Sequence, residues 1–194
     1  MTECGELQYF SYVLLILLLI SVYFNMKNKR AAKKRQENDL LLIKKAYFDP
    51  VTELPNKRNI EIVLSEQIAR TSRHKKSFLV AAIKVTNYTH VNEASTQRGA
   101  EFIAEVGDRL LGSIRNEDML SRISDNEFII VFNEYLEETN FNVIVNRINT
   151  KLKEKFQDDN GELDIKIKIG ESKYPDDATE PQELINKAIL KALN

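Results

Sequence analysis

The chain holds 194 residues, room for one modest domain and an appendage. Its 28 Lys and Arg against 29 Asp and Glu leave a formal charge of −1, which excludes a strongly basic nucleic-acid binder. One cysteine, Cys4, and two histidines, His74 and His90, exclude a disulfide framework and a cysteine-rich zinc site, and give histidine chemistry little to work with.

From Leu7 to Met26 no charged residue occurs, and the centre reads VLLILLLISV from Val13 to Val22. About 20 apolar residues rising 1.5 Å each cross a hydrocarbon core of about 30 Å, so residues 7–26 are predicted to span a membrane. Tyr9, Tyr12, Tyr23 and Phe24 near the ends suit the interface. A cleaved leader fits less well, because no basic residue precedes the run and no small-residue cleavage site follows it. A core helix would need a polar face that the run lacks. Glu3 and Glu6 precede the span, whereas Lys27, Lys29, Arg30, Lys33, Lys34 and Arg35 follow it. Positive-inside orientation therefore puts residues 1–6 outside and the carboxyl-terminal body in the cytoplasm, with the six cations next to anionic headgroups. Without those six cations and the two early acids, 22 bases face 27 acids. Such an acidic body is a poor partner for DNA. Cys4 then lies on the outer side, either as a cross-link between two copies or as an idle thiol.

Residues 27–47 read as a basic juxtamembrane segment and a linker helix, the latter from Asn38 to Phe48 and able to carry signals or pair with a second copy. The body occupies 48–194. DPVTELPNKR, Asp49 to Arg58, is a structured loop whose Asn56 caps a helix with the stripe Ile60, Val63, Leu64, Ile68 and Ala69. SFLVAAIKV, Ser77 to Val85, suits a strand covered on both faces. Phe102, Val106, Leu110 and Ile114 mark the next helix. Met119–Ile123 and Glu127–Phe132 then form a hairpin across a Ser-Asp-Asn turn. Phe141, Val145, Ile148 and Leu152 mark a further helix, DIKIKIG (Asp164 to Gly170) a half-wet strand, and Pro181 to Leu193 a last helix. This order predicts an α+β fold, helices packed on a mostly antiparallel sheet. His74, in Arg-His-Lys-Lys, and His90 read as surface residues, and Asp158 to Asn160 as a loop without a calcium ligand ladder.

In this order the body resembles the GGDEF family, the diguanylate cyclases that make cyclic di-GMP, from about Ala46 to the end of the chain. DPVTELPNKR resembles the family's opening D-x-L-T-x-L-x-N-R-R, SRISDNEFIIVF (Ser121 to Phe132) its R-x-GGDEF hairpin, and KIGESKYPDD (Lys168 to Asp177) its late S-I-G strand. The resemblance implies a ferredoxin-like palm domain acting as a homodimer with Mg²⁺ and two GTP. At nearly every catalytic position this sequence departs from it. The signature reads Ser124-Asp125-Asn126-Glu127-Phe128, with bulk where two glycines let the backbone approach guanine and phosphate, and Asn126 where an acid binds metal. The strand's metal-binding Asp falls on Lys84, whose ammonium repels the cation that must neutralise a triphosphate. Asn92 matches a guanine-contacting Asn, but that residue's Asp partner falls on Ala100, after Gly99, with one residue deleted between. The family's phosphate-holding Lys falls on Leu193, and its later Arg lies past Asn194.

The resemblance therefore implies no catalytic residue, no metal site and no cofactor. One constellation survives. Arg115-Asn116-Glu117-Asp118 matches the family's R-x-x-D inhibitory site, with Arg115 nine positions before Ser124. A guanidinium offers a planar fork to guanine or phosphate, and a carboxylate accepts from guanine N1–H and N2–H. Three residues apart near a helix end, both can meet one ligand. Arg147 and Arg122 are candidates for a second arginine. Lys84 and Glu127, on strands expected to be neighbours, are predicted to pair within 4 Å. The chain then reads as an inactive receptor for cyclic di-GMP, single-pass in a bacterial inner membrane. It would relay to an exopolysaccharide, secretion or motility machine as a homodimer or subunit. The alternative is a nucleotide-independent scaffold of a membrane complex.

Overall fold

A computed structural model describes the backbone of residues 3–132 and 138–193, and side chains over 21–132 and 141–193. The chain divides into two compact units, Met1–Lys44 and Lys45–Asn194. Helix α1 (Glu3–Tyr47) makes up the first, so the basic segment and the linker helix are parts of one element. The span expected over 7–26 falls within α1, and the side chains of its residues 7–20 lie outside the described residues. Among the described residues no helix is long and apolar enough to cross a membrane.

The second unit is built on strand β1 (Phe78–Val85). Its nearly unbroken apolar run splits by the two-residue strand period. Leu79, Ala81, Ile83 and Val85 face one cluster with Phe102, Val106, Leu110 and Ile148. Phe78, Val80 and Ala82 face another with Ile60, Leu64, Leu184 and Ala188. Each fully buried Ile, Val or Phe contributes about 1.5–3 kcal/mol, so both faces of this strand hold the fold. Around β1 lie β2 (Met119–Arg122), β3 (Glu127–Phe132) and β6 (Ile167–Tyr174), in the order β2-β3-β1-β6, every pairing antiparallel. Helices α2 (Lys57–Arg73) and α6 (Pro181–Leu193) supply residues to one cluster, and α4 (Thr96–Leu111) and α5 (Glu138–Leu152) to the other. This is the expected α+β architecture.

Four details differ from the sequence expectation. The buried face of α2 is Ile60, Leu64, Gln67 and Thr71, with Ile68 partly buried against the same cluster and Ala69 exposed; spacings of four, three and four keep one side of the helix on the sheet. A short helix, α3 (Tyr88–Ala94), precedes α4. A ribbon of β4 (Phe156–Asp158) and β5 (Gly161–Leu163) flanks the loop expected at Asp158 to Asn160, which forms its turn. The late strand runs Ile167–Tyr174 instead of ending at Gly170, which sits where α6 crosses. A Cβ there would lie 2.7 Å from the Lys191 carbonyl carbon and closer still to the backbone of Ala188 and Ala192. Only glycine permits that approach.

Candidate functional site

The opening loop and the β2–β3 hairpin build one corner. Asp49 Oδ1 accepts from the Thr52 amide and hydroxyl at 2.8 Å each, closing the loop on itself. Arg122, 6% exposed, donates Nη1 to the same oxygen at 2.9 Å and Nη2 to the Asp125 carbonyl at 2.8 Å. The Arg122 amide also donates to the Pro55 carbonyl at 2.9 Å. Burial pushes the Asp49 carboxyl up, but the Thr52 amide and Arg122 outweigh it and hold it below its ordinary range. Arg122 is thus a clasp between loop and hairpin, not the second arginine considered for the Arg115 site. Arg147 stands exposed on α5.

Across the sheet, Lys84 lies directly opposite Glu127 in the β1–β3 register. Its Nζ stands 3.0 Å from Glu127 Oε1, as expected, with side-chain exposures of 29% and 17%. Ser124 Oγ donates to the other carboxylate oxygen at 3.0 Å. Asn126 Nδ2 donates to the Val85 carbonyl at 3.0 Å, and its own carbonyl accepts from the Val85 amide at 2.8 Å. The signature side chains Ser124, Asn126 and Glu127 therefore bond within the fold. Asp125 is exposed, and Phe128 is fully buried as a core residue. Among the described residues no group of three His, Cys, Asp or Glu could hold a metal ion.

Asn92 accepts from the Tyr88 hydroxyl at 3.4 Å. Gly99 packs onto it so closely that a Cβ would stand 2.8 Å from the Asn92 Cα. That contact is the reason for glycine where α3 and α4 cross. Lys168 donates to the Leu193 carbonyl at 2.8 Å, capping the end of α6.

Arg115 and Asp118 come together in a turn between α4 and β2, not at the helix end, because α4 stops at Leu111 and Gly112 caps it. The Asp118 amide donates to the Arg115 carbonyl at 3.1 Å, and the Arg115 amide donates to Asp118 Oδ2 at 3.0 Å. This double bond pattern fixes the turn, and the Arg115 guanidinium, 55% exposed, stands 3.6 Å from Glu117. His74 and His90 are exposed, as expected. The motif spacing pointed to Arg115 and Asp118, and only the Asp49–Arg122 clasp escaped it, although both residues lie in the two motifs that carry the resemblance.

The family model "Diguanylate cyclase, GGDEF domain" matches residues 46–192. The bifunctional diguanylate cyclase/cyclic di-GMP phosphodiesterase MucR of Pseudomonas aeruginosa is 26% identical over 148 residues, 76% of this chain and 22% of that protein. The signaling protein YkoW of Bacillus subtilis is 24% identical over 172 residues, 88% of this chain and 21% of that protein. The chain thus spans about a fifth of the length of these two curated relatives. Among solved structures, the coiled coil and GGDEF domain of DgcB from Caulobacter crescentus, in complex with c-di-GMP, superposes with a TM-score of 0.73 at 14% identity, over 89% of this chain and 93% of that one. The diguanylate cyclase SiaD of Pseudomonas aeruginosa, in complex with its activator SiaC, gives 0.70 at 19% identity, over 97% of this chain and 73% of that one.

Proposed function

The chain belongs to the GGDEF, diguanylate cyclase, family of cyclic di-GMP signalling, and from that premise we propose that it is a catalytically silent, membrane-anchored receptor for cyclic di-GMP. The observation that carries silence is the Lys84–Glu127 pair at 3.0 Å. The resemblance puts Mg²⁺ and the GTP triphosphate beside this pair. The donor set there does not fit a divalent cation. It offers an ammonium, an amide engaged with the Val85 carbonyl, and one carboxylate shared between Lys84 and Ser124. A cation placed there meets a like charge before it meets a ligand.

Reception rests on Arg115 and Asp118. The turn presents a guanidinium and a carboxylate three residues apart, the pair of groups that guanine's edges and a phosphate select. The solved DgcB structure is a complex with c-di-GMP, and SiaD is a complex with a protein activator. Both properties support a domain that reads a nucleotide and passes the state on. The apolar run at 7–26 is the anchor, and exposed Leu40, Leu41, Leu42 and Ile43 on α1 suit pairing with a second copy or a membrane partner.

Calorimetric titration of the full chain with cyclic di-GMP tests reception. Micromolar or tighter affinity, lost in Arg115→Ala, is expected; flat heats leave the nucleotide-independent scaffold. That second reading draws support from the Asp118 carboxylate serving its own turn. Chromatography of a GTP and Mg²⁺ incubation tests silence, and any cyclic product overturns it.

A further inference from the structure

The charge of the second unit is segregated. No Asp or Glu occurs between Glu66 and Glu93, while Arg70, Arg73, Lys75 and Lys76 crowd the end of α2 in an otherwise acidic body. The helix dipole accounts for Arg70 and Arg73, which sit in its last turn. It does not account for the two lysines beyond. The Lys76 amide donates to the Thr71 carbonyl at 3.2 Å and the Lys75 amide to the Ser72 carbonyl at 3.3 Å. These bonds close the helix through a left-handed residue, and that residue is Lys75, at a φ of 49°. Glycine is the inexpensive choice at this position, so the chain holds a cation there against its backbone preference. Among the described residues no ion pair forms on Arg73, Lys75 or Lys76.

The same two lysines line an open cleft of about 470 Å³ with Ser72, Ser77 and, from the end of β6, Lys173, which pairs with Asp176 at 2.9 Å. Among the side chains that line the cleft, three are ammonium groups and one, Asp176, is a carboxylate. Each ammonium is a point charge with three donors, and the serine hydroxyls add polar rims. A compact anion with several equivalent oxygens satisfies such a set; a single carboxylate does not reach all of it.

We infer that the cleft formed by Lys75, Lys76 and Lys173 binds a phosphate group, carried by a lipid headgroup or by a soluble phosphate compound. The site lies at the amino end of β1, opposite the Lys84–Glu127 end. The Arg115 turn leads into β2 at the same end of the sheet, two strands away, and contributes no residue to the cleft, so the two sites can be tested apart.

The 194-residue chain in neutral detergent, titrated calorimetrically with inorganic pyrophosphate and with monomeric dihexanoyl phosphatidic acid, tests it. Saturable binding is expected, weakened at least tenfold in the triple variant Lys75→Gln, Lys76→Gln, Lys173→Gln. It is weakened less than twofold in Lys151→Gln, Lys153→Gln, Lys166→Gln, which removes equal charge from exposed positions elsewhere. Preference for the lipid assigns a headgroup, and preference for pyrophosphate a soluble phosphate. Lys75→Gly separates binding from folding: it weakens binding threefold or more while its melting temperature stays level or rises. Absence of saturation with both probes, equal losses in the two triple variants, or unchanged affinity in Lys75→Gly overturns the inference.

Discussion

The two ends of β1 use lysine in opposite ways. At the carboxyl end Lys84 is neutralised by Glu127, whose other oxygen is held by Ser124. At the amino end Lys75 and Lys76 follow a helix terminus, and among the described residues no acid is paired to them. The contrast shows that a cation's register partner decides whether its charge serves the fold or faces outward. An antiparallel ladder puts Glu127 opposite Lys84, whereas the loop leading into β1 has no ladder partner to supply an acid.

The largest effect tests the corner that holds the paired end. Arg122→Ala leaves the half-buried Asp49 carboxylate with its Thr52 donors but no cation, and frees the Asp125 carbonyl, an expected loss of about 3 kcal/mol in denaturant unfolding. Asp49 also sets an acid limit. Its carboxyl is lowered in the folded state, so its contribution is complete above the ordinary value of 3.8 and is lost as pH falls through its folded value. In Arg122→Ala that acid-induced loss is expected to be smaller, read as a shallower drop in melting temperature below pH 4.

Next comes a change of sign at the paired end. Lys84→Asp sets a carboxylate opposite Glu127 and is expected to cost about 2 kcal/mol through like-charge apposition. Millimolar Mg²⁺ is then expected to raise the melting temperature of this variant and leave the unsubstituted protein unchanged. An equal response in both would erase the distinction between the two ends.

The smallest effect sharpens the contrast directly, because one substitution is made at both ends. Lys84→Gln removes a partly buried pair and is expected to cost about 1 kcal/mol. Lys76→Gln is expected to stay within about 0.5 kcal/mol of the unsubstituted protein, as exposed positions do. Chemical denaturation of the two variants side by side decides it.

Much of this molecule was legible from local pattern. The apolar run of β1, the four-residue spacing of Phe102, Val106 and Leu110, and the break at Ser124-Asp125-Asn126 each reflect a period or a turn that neighbouring residues specify. Neighbouring strands sufficed to foresee the Lys84–Glu127 pair. Other features were not legible for definite reasons. Gln67 and Thr71 join the buried face of α2 unannounced because both are polar, and no apolar signal marks them as buried. Ribbon β4–β5 was too short, at three residues a strand, for alternation to register. Arg115 and Asp118 share the site the motif named, but their turn replaced a helix end because Gly112 closes α4 early.

By itself, then, the sequence determined the longer helices and the strands of the main sheet, which strand is buried on both sides, and which family the order of motifs belongs to. Tertiary structure alone decided that Arg122 clasps Asp49 across 73 positions, that Gly170 yields to the crossing of α6, and that Lys75 and Lys173 border one cleft. Periodicity acts over a few neighbouring residues. Those contacts join segments far apart in the chain, and only the closed sheet, with its register fixed by two buried faces, sets their distances.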